Sequence, residues 1–275
     1  GQLTFSYKPI RQLAAYATFS TAYKPVGLNL GGLPTESGRV MTELAVVKPE
    51  FVRHAEIGLK TSPTKYITVN FTAYHTEIKD YQTQVQTAEV GVNRGYLANA
   101  EKVRVRGLEL DGNVRFNEFI SIYANVAYTE GKYVKFQNAP VPLEETGGAN
   151  SFKDVSGSRL PGISRWIGSL GVDLSLKGNL MHWDGRFFLA IDSYSRSSFS
   201  SSSSESAYLN VSGYSLLNGR IGFRANQGVS LFVWARNMLN KNYYEQLLVA
   251  AGNAGQFAGV LGDPATCGIT VKYGF

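Results

Sequence analysis

Cys267-Gly268-Ile269-Thr270-Val271-Lys272-Tyr273-Gly274-Phe275 closes the chain. Side chains alternate across a strand, so Ile269, Val271, Tyr273 and Phe275 share one face, and Gly268, Thr270 and Lys272 share the other. An apolar outer face and a polar inner one suit a barrel closed in lipid. A water-soluble sandwich can end on such a strand too, so the pattern must recur upstream to carry weight.

It does recur. Ile67, Val69, Phe71 and Ala73 alternate with Thr68, Asn70 and Thr72. Ile120, Ile122, Ala124 and Val126 alternate with Ser121, Tyr123 and Asn125, and Leu170, Val172 and Leu174 with Gly171, Asp173 and Ser175. Each apolar set is close to the number that takes a tilted strand of about 9–11 residues across a bilayer. The opposite faces suit a wet or filled lumen, and no run reaches the roughly 18 apolar residues of a membrane helix.

The pattern divides the chain into eleven strands, near 2–8, 13–24, 50–60, 66–85, 98–116, 119–135, 164–177, 180–196, 208–224, 229–245 and 267–275. Tight turns are expected at Pro9-Ile10-Arg11, Ser62-Pro63-Thr64, Asn117-Glu118, Gly178-Asn179 and Asn226-Gln227-Gly228. Longer connections alternate with them. That segregation fits a transmembrane barrel, with short turns on one side of the membrane and long loops on the other. Tyr7, Tyr66, Phe116, Phe119, Tyr128, Phe223 and Phe275 lie near strand ends, where aromatic girdles form.

Composition agrees with an all-β membrane chain. Hydrophobic residues make up 44% and charged residues 17% of the 275 positions, with 29 Gly, 16 Tyr and 15 Phe. The net charge is +6, but Lys and Arg are scattered. This excludes a nucleic-acid-binding stripe and fits an exterior facing anionic lipid head groups. Cys267 is the sole cysteine, so no internal disulfide can form. His54, His75 and His182 lack ligand spacing, and no metal site is expected. Neither a Ser-His-Asp nor a paired-carboxylate constellation is present, so no enzyme is expected.

Gly1-Gln2-Leu3-Thr4-Phe5 already reads as a strand. If the long loops lie outside, the first and last strands both descend, and the first lacks its upward neighbour. A piece of a longer barrel is therefore expected, with open edges and unable to close alone.

Five stretches, in order, resemble the C-terminal half of the β-barrel of a TonB-dependent outer-membrane receptor. They are Val47-Lys48-Pro49-Glu50 with Glu56-Ile57-Gly58-Leu59-Lys60; Asn99 with Gly107-Leu108-Glu109-Leu110; Gly157-Ser158-Arg159-Leu160-Pro161; Ala235-Arg236-Asn237-Met238-Leu239-Asn240-Lys241-Asn242-Tyr243-Tyr244; and Gly262-Asp263-Pro264 with the terminal strand. Two positions depart from the family pattern, Ala265 after the last Pro and Cys267 before the final strand's first Gly. The resemblance covers nearly the whole chain, as one domain over residues 1–275. It implies about the last eleven of 22 strands, with the plug absent.

The resemblance implies TonB-energised uptake of a scarce nutrient across the outer membrane of a Gram-negative bacterium, with a ferric siderophore or similar iron complex foremost. Oligosaccharide or cobalamin uptake, a passive porin-like channel and a soluble β-protein are the alternatives. It implies no cofactor. The implied partners are the missing plug and barrel half, the TonB complex acting through the plug, lipopolysaccharide and outer-membrane lipid, and the assembly machinery. Binding residues belong on long loops over a rigid scaffold. The candidates are Arg39, Tyr133, Phe136, Phe152 and Phe257, whose charge and rings suit an anionic, ring-bearing ligand. Glu109 is expected in the lumen against the plug. Arg104 and Arg106, in register with Leu108 and Leu110, are expected to meet lipopolysaccharide phosphates at the interface, with an inward-turning bulge as the alternative. Tyr273 and Phe275 would form the assembly signal.

Overall fold

A computed structural model describes residues 1–31, 33–36, 38–89, 92–250 and 255–274, the side chains of 36, 87–89 and 92–94 excepted. Eleven long strands dominate: β1 (Gln2–Ile10), β2 (Leu13–Lys24), β3 (Glu50–Thr64), β4 (Ile67–Glu89), β5 (Val92–Arg115) and β6 (Ile120–Lys135). The rest are β7 (Trp166–Leu180), β8 (Trp183–Arg196), β9 (Tyr214–Ala225), β10 (Val229–Arg236) and β11 (Thr266–Tyr273). They form one sheet in chain order, and each adjacent pair is antiparallel. Tight turns join β1 to β2, β3 to β4, β5 to β6, β7 to β8 and β9 to β10 at one end. Long connections occupy the other end, where β4 and β5 run on together as a hairpin.

Cross-strand rows sort the side chains by chemistry. Leu59, Phe71, Leu110 and Val126 stand side by side on β3 to β6. They are 37–49% exposed together with Leu108 beside them. An apolar row of this extent left open to water would be costly, and in lipid it is at home. The adjacent row on the opposite face is Lys60, Asn70, Asp111, Asn125 and Ser169. There the Asn70 amide donates to Asp111 at 2.8 Å and the Asn125 amide to Ser169 Oγ at 3.1 Å. Rings bracket the apolar band: Tyr128 packs on Trp166 toward the long connections, and Phe187 on Phe223 toward the short turns, each pair 4.9 Å apart.

Two glycines are required by close approach. The Tyr16 ring lies across Gly58 and the Tyr123 ring across Gly171, so that a Cβ at either glycine would collide with the ring. All four residues point to the polar face. The Tyr16 hydroxyl then reaches Glu56, donating at 2.7 Å.

Several turns and boundaries differ from the sequence expectation. β7 and β8 extend to Leu180 and Trp183, and the turn is Met181-His182, with φ of 49° and 71°. This is the type I′ geometry that matches strand twist. Gly178 remains in the strand beneath the Phe187 ring. Pro63 sits not in a turn but at a bulge, where pairing skips from Thr61 to Thr64. A residue without an N–H is tolerated there. The first turn is at 11–12 rather than 9–11. The connection expected between Val85 and Ala98 is paired hairpin, with Val85 opposite Tyr96. β10 stops at Arg236, because Asn237 adopts φ 46° and leaves the sheet.

Candidate functional site

The long connections are anchored at their bases by side chains that bond to main chain. The Asn99 carbonyl accepts from Lys48 N–H at 2.8 Å, and its amide donates to the Lys48 carbonyl at 3.1 Å and the Asp80 carbonyl at 2.7 Å. The Gln82 amide donates to the carbonyls of Pro25 and Lys48, while its N–H is taken by the buried Glu50 carboxylate at 2.9 Å. Asn29 brackets Leu97 in the same way, donating to its carbonyl and accepting from its N–H. Asn237 donates to the Lys241 and Asp263 carbonyls and accepts from Lys241 N–H, and Asn240 accepts from Ala265 N–H. Glu50, Asn99, Asn237 and Asn240, from the stretches that carry the family resemblance, thus act as clamps for the loops.

A hydrophobic core lies under these loops, built on Val85, Val103, Tyr133, Phe136, Val155 and Leu160. This corrects the expectation for two candidate ligand residues. Tyr133 is 0% and Phe136 1% exposed, with rings 5.0 Å apart, so they support the loop and present nothing to a ligand. Phe152 is half-buried in a short ribbon against Pro140. Arg39 is exposed and pairs with Glu43 at 3.3 Å. Phe257 stacks on Tyr208 at 5.1 Å, and both rings are accessible. The five candidates therefore do not converge on one site. Beside the core, the Ser156 hydroxyl and N–H hold the Asp154 carboxyl below its ordinary range. Burial raises the Tyr243 hydroxyl.

The polar face carries a second arrangement that the sequence reading missed. Glu56, Glu109 and Asp111 occupy β3 and β5, and Glu109 lies on this face as expected. Across the sheet, β9 to β11 carry Arg220, Arg224, Arg236 and Lys272. Three of these cations sit over rings: Arg224 over Phe188 at 5.6 Å, Arg236 over Trp234 at 5.3 Å and Lys272 over Phe232 at 5.7 Å. Of the four, only Arg220 approaches a carboxylate among the described residues, that of Asp173 at 3.9 Å. A recess of about 600 Å³ opens among Asn218, Arg220, Phe232, Trp234, Arg236 and Lys272. Cations stacked on rings keep their hydrogens free for an incoming anion. The sequence signal was available, since Arg220 and Arg224, Trp234 and Arg236, and Thr270 and Lys272 each share the parity opposite the apolar set.

On the apolar face, Arg104 and Arg106 lie in the register expected. β5 pairs without a shift from Arg115 to Val103, so no bulge turns them inward. Both are engaged by Glu130, Arg106 at 2.6 Å and Arg104 at 3.7 Å. Tyr273 stands on the apolar face opposite Val229; Phe275 lies outside the described residues. His54 hydrogen-bonds Thr76 at 2.8 Å.

Comparison with known proteins bears on the whole arrangement. A family model described as TonB dependent receptor-like, beta-barrel matches residues 1–238. No curated protein matches the chain. Among solved structures, the ferric yersiniabactin uptake receptor FyuA from Yersinia pestis is similar over 100% of this chain, at 19% identity and a TM-score of 0.75. The siderophore receptor PiuA from Acinetobacter baumannii is similar over 99%, at 17% identity and a TM-score of 0.70. The copper transporter OprC is similar over 99%, at 13% identity and a TM-score of 0.69. The chain spans 37%, 35% and 39% of the length of these three structures.

Proposed function

We propose, because this chain belongs to the TonB-dependent receptor-like β-barrel family, that it supplies the C-terminal part of the barrel of an outer-membrane active transporter. Residues 1–275 form one barrel portion, and the family is one of Gram-negative outer membranes. Its lumen takes a plug on which the TonB complex acts, and its terminal strand is read by the assembly machinery. Glu109 faces that plug from the acidic sector of the polar face. Arg104 and Arg106 meet lipopolysaccharide above the apolar band. The chain transfers its ligand without chemistry on it.

The nutrient is a ferric siderophore or a similar anionic iron complex. The observation that carries this is the cation-and-ring wall of Arg220, Phe232, Trp234, Arg236 and Lys272 on the polar face. An anionic, ring-bearing chelate is matched by such a wall in charge and in stacking. Arg39, Phe152 and Phe257 on the loops make the first contacts. The names of the structural relatives support uptake of metal complexes, with FyuA and PiuA on the iron side and OprC on the copper side.

The test is uptake of radiolabelled iron chelates by cells carrying the full-length receptor. Uptake is expected to require TonB and to fall when Trp234 and Arg236 are replaced by alanine. Uptake that persists without TonB would make the protein a passive channel. Uptake of copper salts with no response to iron chelates would overturn the ligand class.

A further inference from the structure

Two buried tyrosines help to build the core under the long connections. The Tyr133 hydroxyl finds Thr83 Oγ1 at 3.4 Å. Tyr96, opposite Val85 on the β4–β5 hairpin, is 3% exposed, and its hydroxyl has no hydrogen-bond partner among the described residues. Packing alone would be served by phenylalanine at this position. A buried hydroxyl left without an acceptor keeps its full desolvation cost, so the group calls for a partner from outside the core.

Tyr96 reaches from β5 into the wall of a recess of about 70 Å³, set between the β2–β3 and β6–β7 connections. Pro34 stands on one side of it, and Pro140 and Phe152, paired in their short ribbon, stand on the other. No charged side chain borders the recess among the described residues. The charged groups of residues 139–154 are already engaged. Glu145 takes Lys153 at 2.7 Å, Glu144 takes the Ser206 hydroxyl and the Ala207 N–H, and Asp154 takes the Ser156 N–H.

Three features select the ligand. The size admits one small group and not a whole chelate, since a site for an entire organic ligand runs to about 300–1,000 Å³. The uncharged lining excludes a carboxylate or an ammonium, which would lose its water and meet no counter-charge. Burial raises the Tyr96 hydroxyl above its ordinary pKa. It therefore stays protonated and donates, and the group it meets must accept.

We propose that this recess is a subsite for an uncharged carbonyl-bearing arm, an amide or an ester, of the transported ligand. The Tyr96 Oη donates to the carbonyl oxygen, and Pro34, Pro140 and Phe152 cover the alkyl part of the arm. The inference rests on the uptake reading and adds a chemical requirement to it. The wall on the polar face takes the charge of the ligand, and this recess takes a neutral arm at first contact. Its two sides come from different connections, so a seated arm joins the two loops.

The experiment uses the full-length receptor in deuterated neutral detergent, with N-methylacetamide as probe and saturation-transfer NMR as readout. Binding in the roughly millimolar range is expected, as a probe of about five heavy atoms allows. Tyr96→Phe keeps the ring and removes the donor. It should weaken the probe about fivefold or more, while the melting temperature stays the same or rises. Acetate, the charged comparison, should give no transfer. Tyr66→Phe, at a short turn, should leave probe binding unchanged. In uptake assays, Tyr96→Phe should raise the KM for an amide-bearing iron chelate and leave the maximal rate as it was.

The proposal is overturned if N-methylacetamide gives no transfer, if Tyr96→Phe binds it within about twofold of the unaltered receptor, or if acetate binds as well as the amide. It is also overturned if Tyr96→Phe lowers the melting temperature and leaves probe binding intact, because the hydroxyl then serves only the fold, through a bound water. Probe binding is scored on the receptor and needs no transport. Tyr96-dependent binding without iron uptake defeats only the uptake reading, and uptake without such binding defeats only the subsite.

Discussion

The Asn99 side chain holds both main-chain groups of Lys48, accepting from its N–H at 2.8 Å and donating to its carbonyl at 3.1 Å. A β5 side chain thereby completes a strand-like pair with the segment that leads into β3. Two residues on, Glu50 is fixed in turn to Gln82 on β4. The loop from β2 is thus registered against two neighbouring strands before it enters the sheet.

Replacing Asn99 by alanine removes these two bonds and the one to Asp80, and strands polar main chain in a partly buried site. A loss of about 1–3 kcal/mol is expected, read as a lower melting temperature of the detergent-solubilised full-length receptor. Proteolysis should quicken within residues 25–49 while the barrel strands stay protected. An unchanged cleavage pattern would remove the clamp from the account.

Gly58→Val drives two methyl groups into the Tyr16 ring. Overpacking of this kind costs about 1–3 kcal/mol, and the Tyr16 hydroxyl should lose Glu56. The same change paired with Tyr16→Ala should recover much of the loss, because the collision is between these two side chains. Absence of rescue in that double variant would place the strain elsewhere.

Two aromatic substitutions separate loop support from loop recognition. Tyr133→Ala empties a fully buried site and is expected to cost about 3–5 kcal/mol. Phe257→Ala, at an accessible ring, should change stability by no more than about 0.5 kcal/mol while lowering affinity for the iron chelate proposed as ligand. Thermal melts and ligand titrations on both variants give the comparison. A stable Tyr133→Ala would contradict the core placement.

Lys177, through a hydrogen bond, and Arg186 hold the Glu118 carboxyl below its ordinary value in the turn between β5 and β6. A carboxyl whose folded pKa is depressed stabilises the fold at pH values above its unfolded pKa, here near 4.5. That contribution fades as the pH falls through the lower, folded value. Melting curves of the parent and of Glu118→Gln should therefore differ at neutral pH and converge in acid below 4.5. A gap that widened in acid would reverse the sign.

The eleven strands were legible because one residue in two is apolar wherever a strand meets lipid, and that period survives any loop sequence. Turn positions were less so. Pro63 and Gly178 look like turn residues, yet one occupies a bulge and the other lies under Phe187, each close to the true turn. Met181 and His182 carry no turn signature, although both adopt positive φ. Parity also cannot separate a ring that packs beneath a loop from one that meets a ligand. Tyr133 and Phe136 read as recognition residues in the sequence and lie in the core. Arg236 and Lys272 each look like one scattered cation until neighbouring strands bring them to one wall.

The anchoring at the loop bases has an evolutionary consequence. Asn29, Gln82, Asn99 and Asn237 hold main-chain groups, which every residue type except proline provides in full. A clamp of this kind is indifferent to the sequence it holds. Mutation, insertion or recombination can rewrite the span between two clamps without altering the register of the strands on either side. Such a barrel is a mount for interchangeable cassettes, and lineages meeting new ligands could diverge at the apices while keeping one frame.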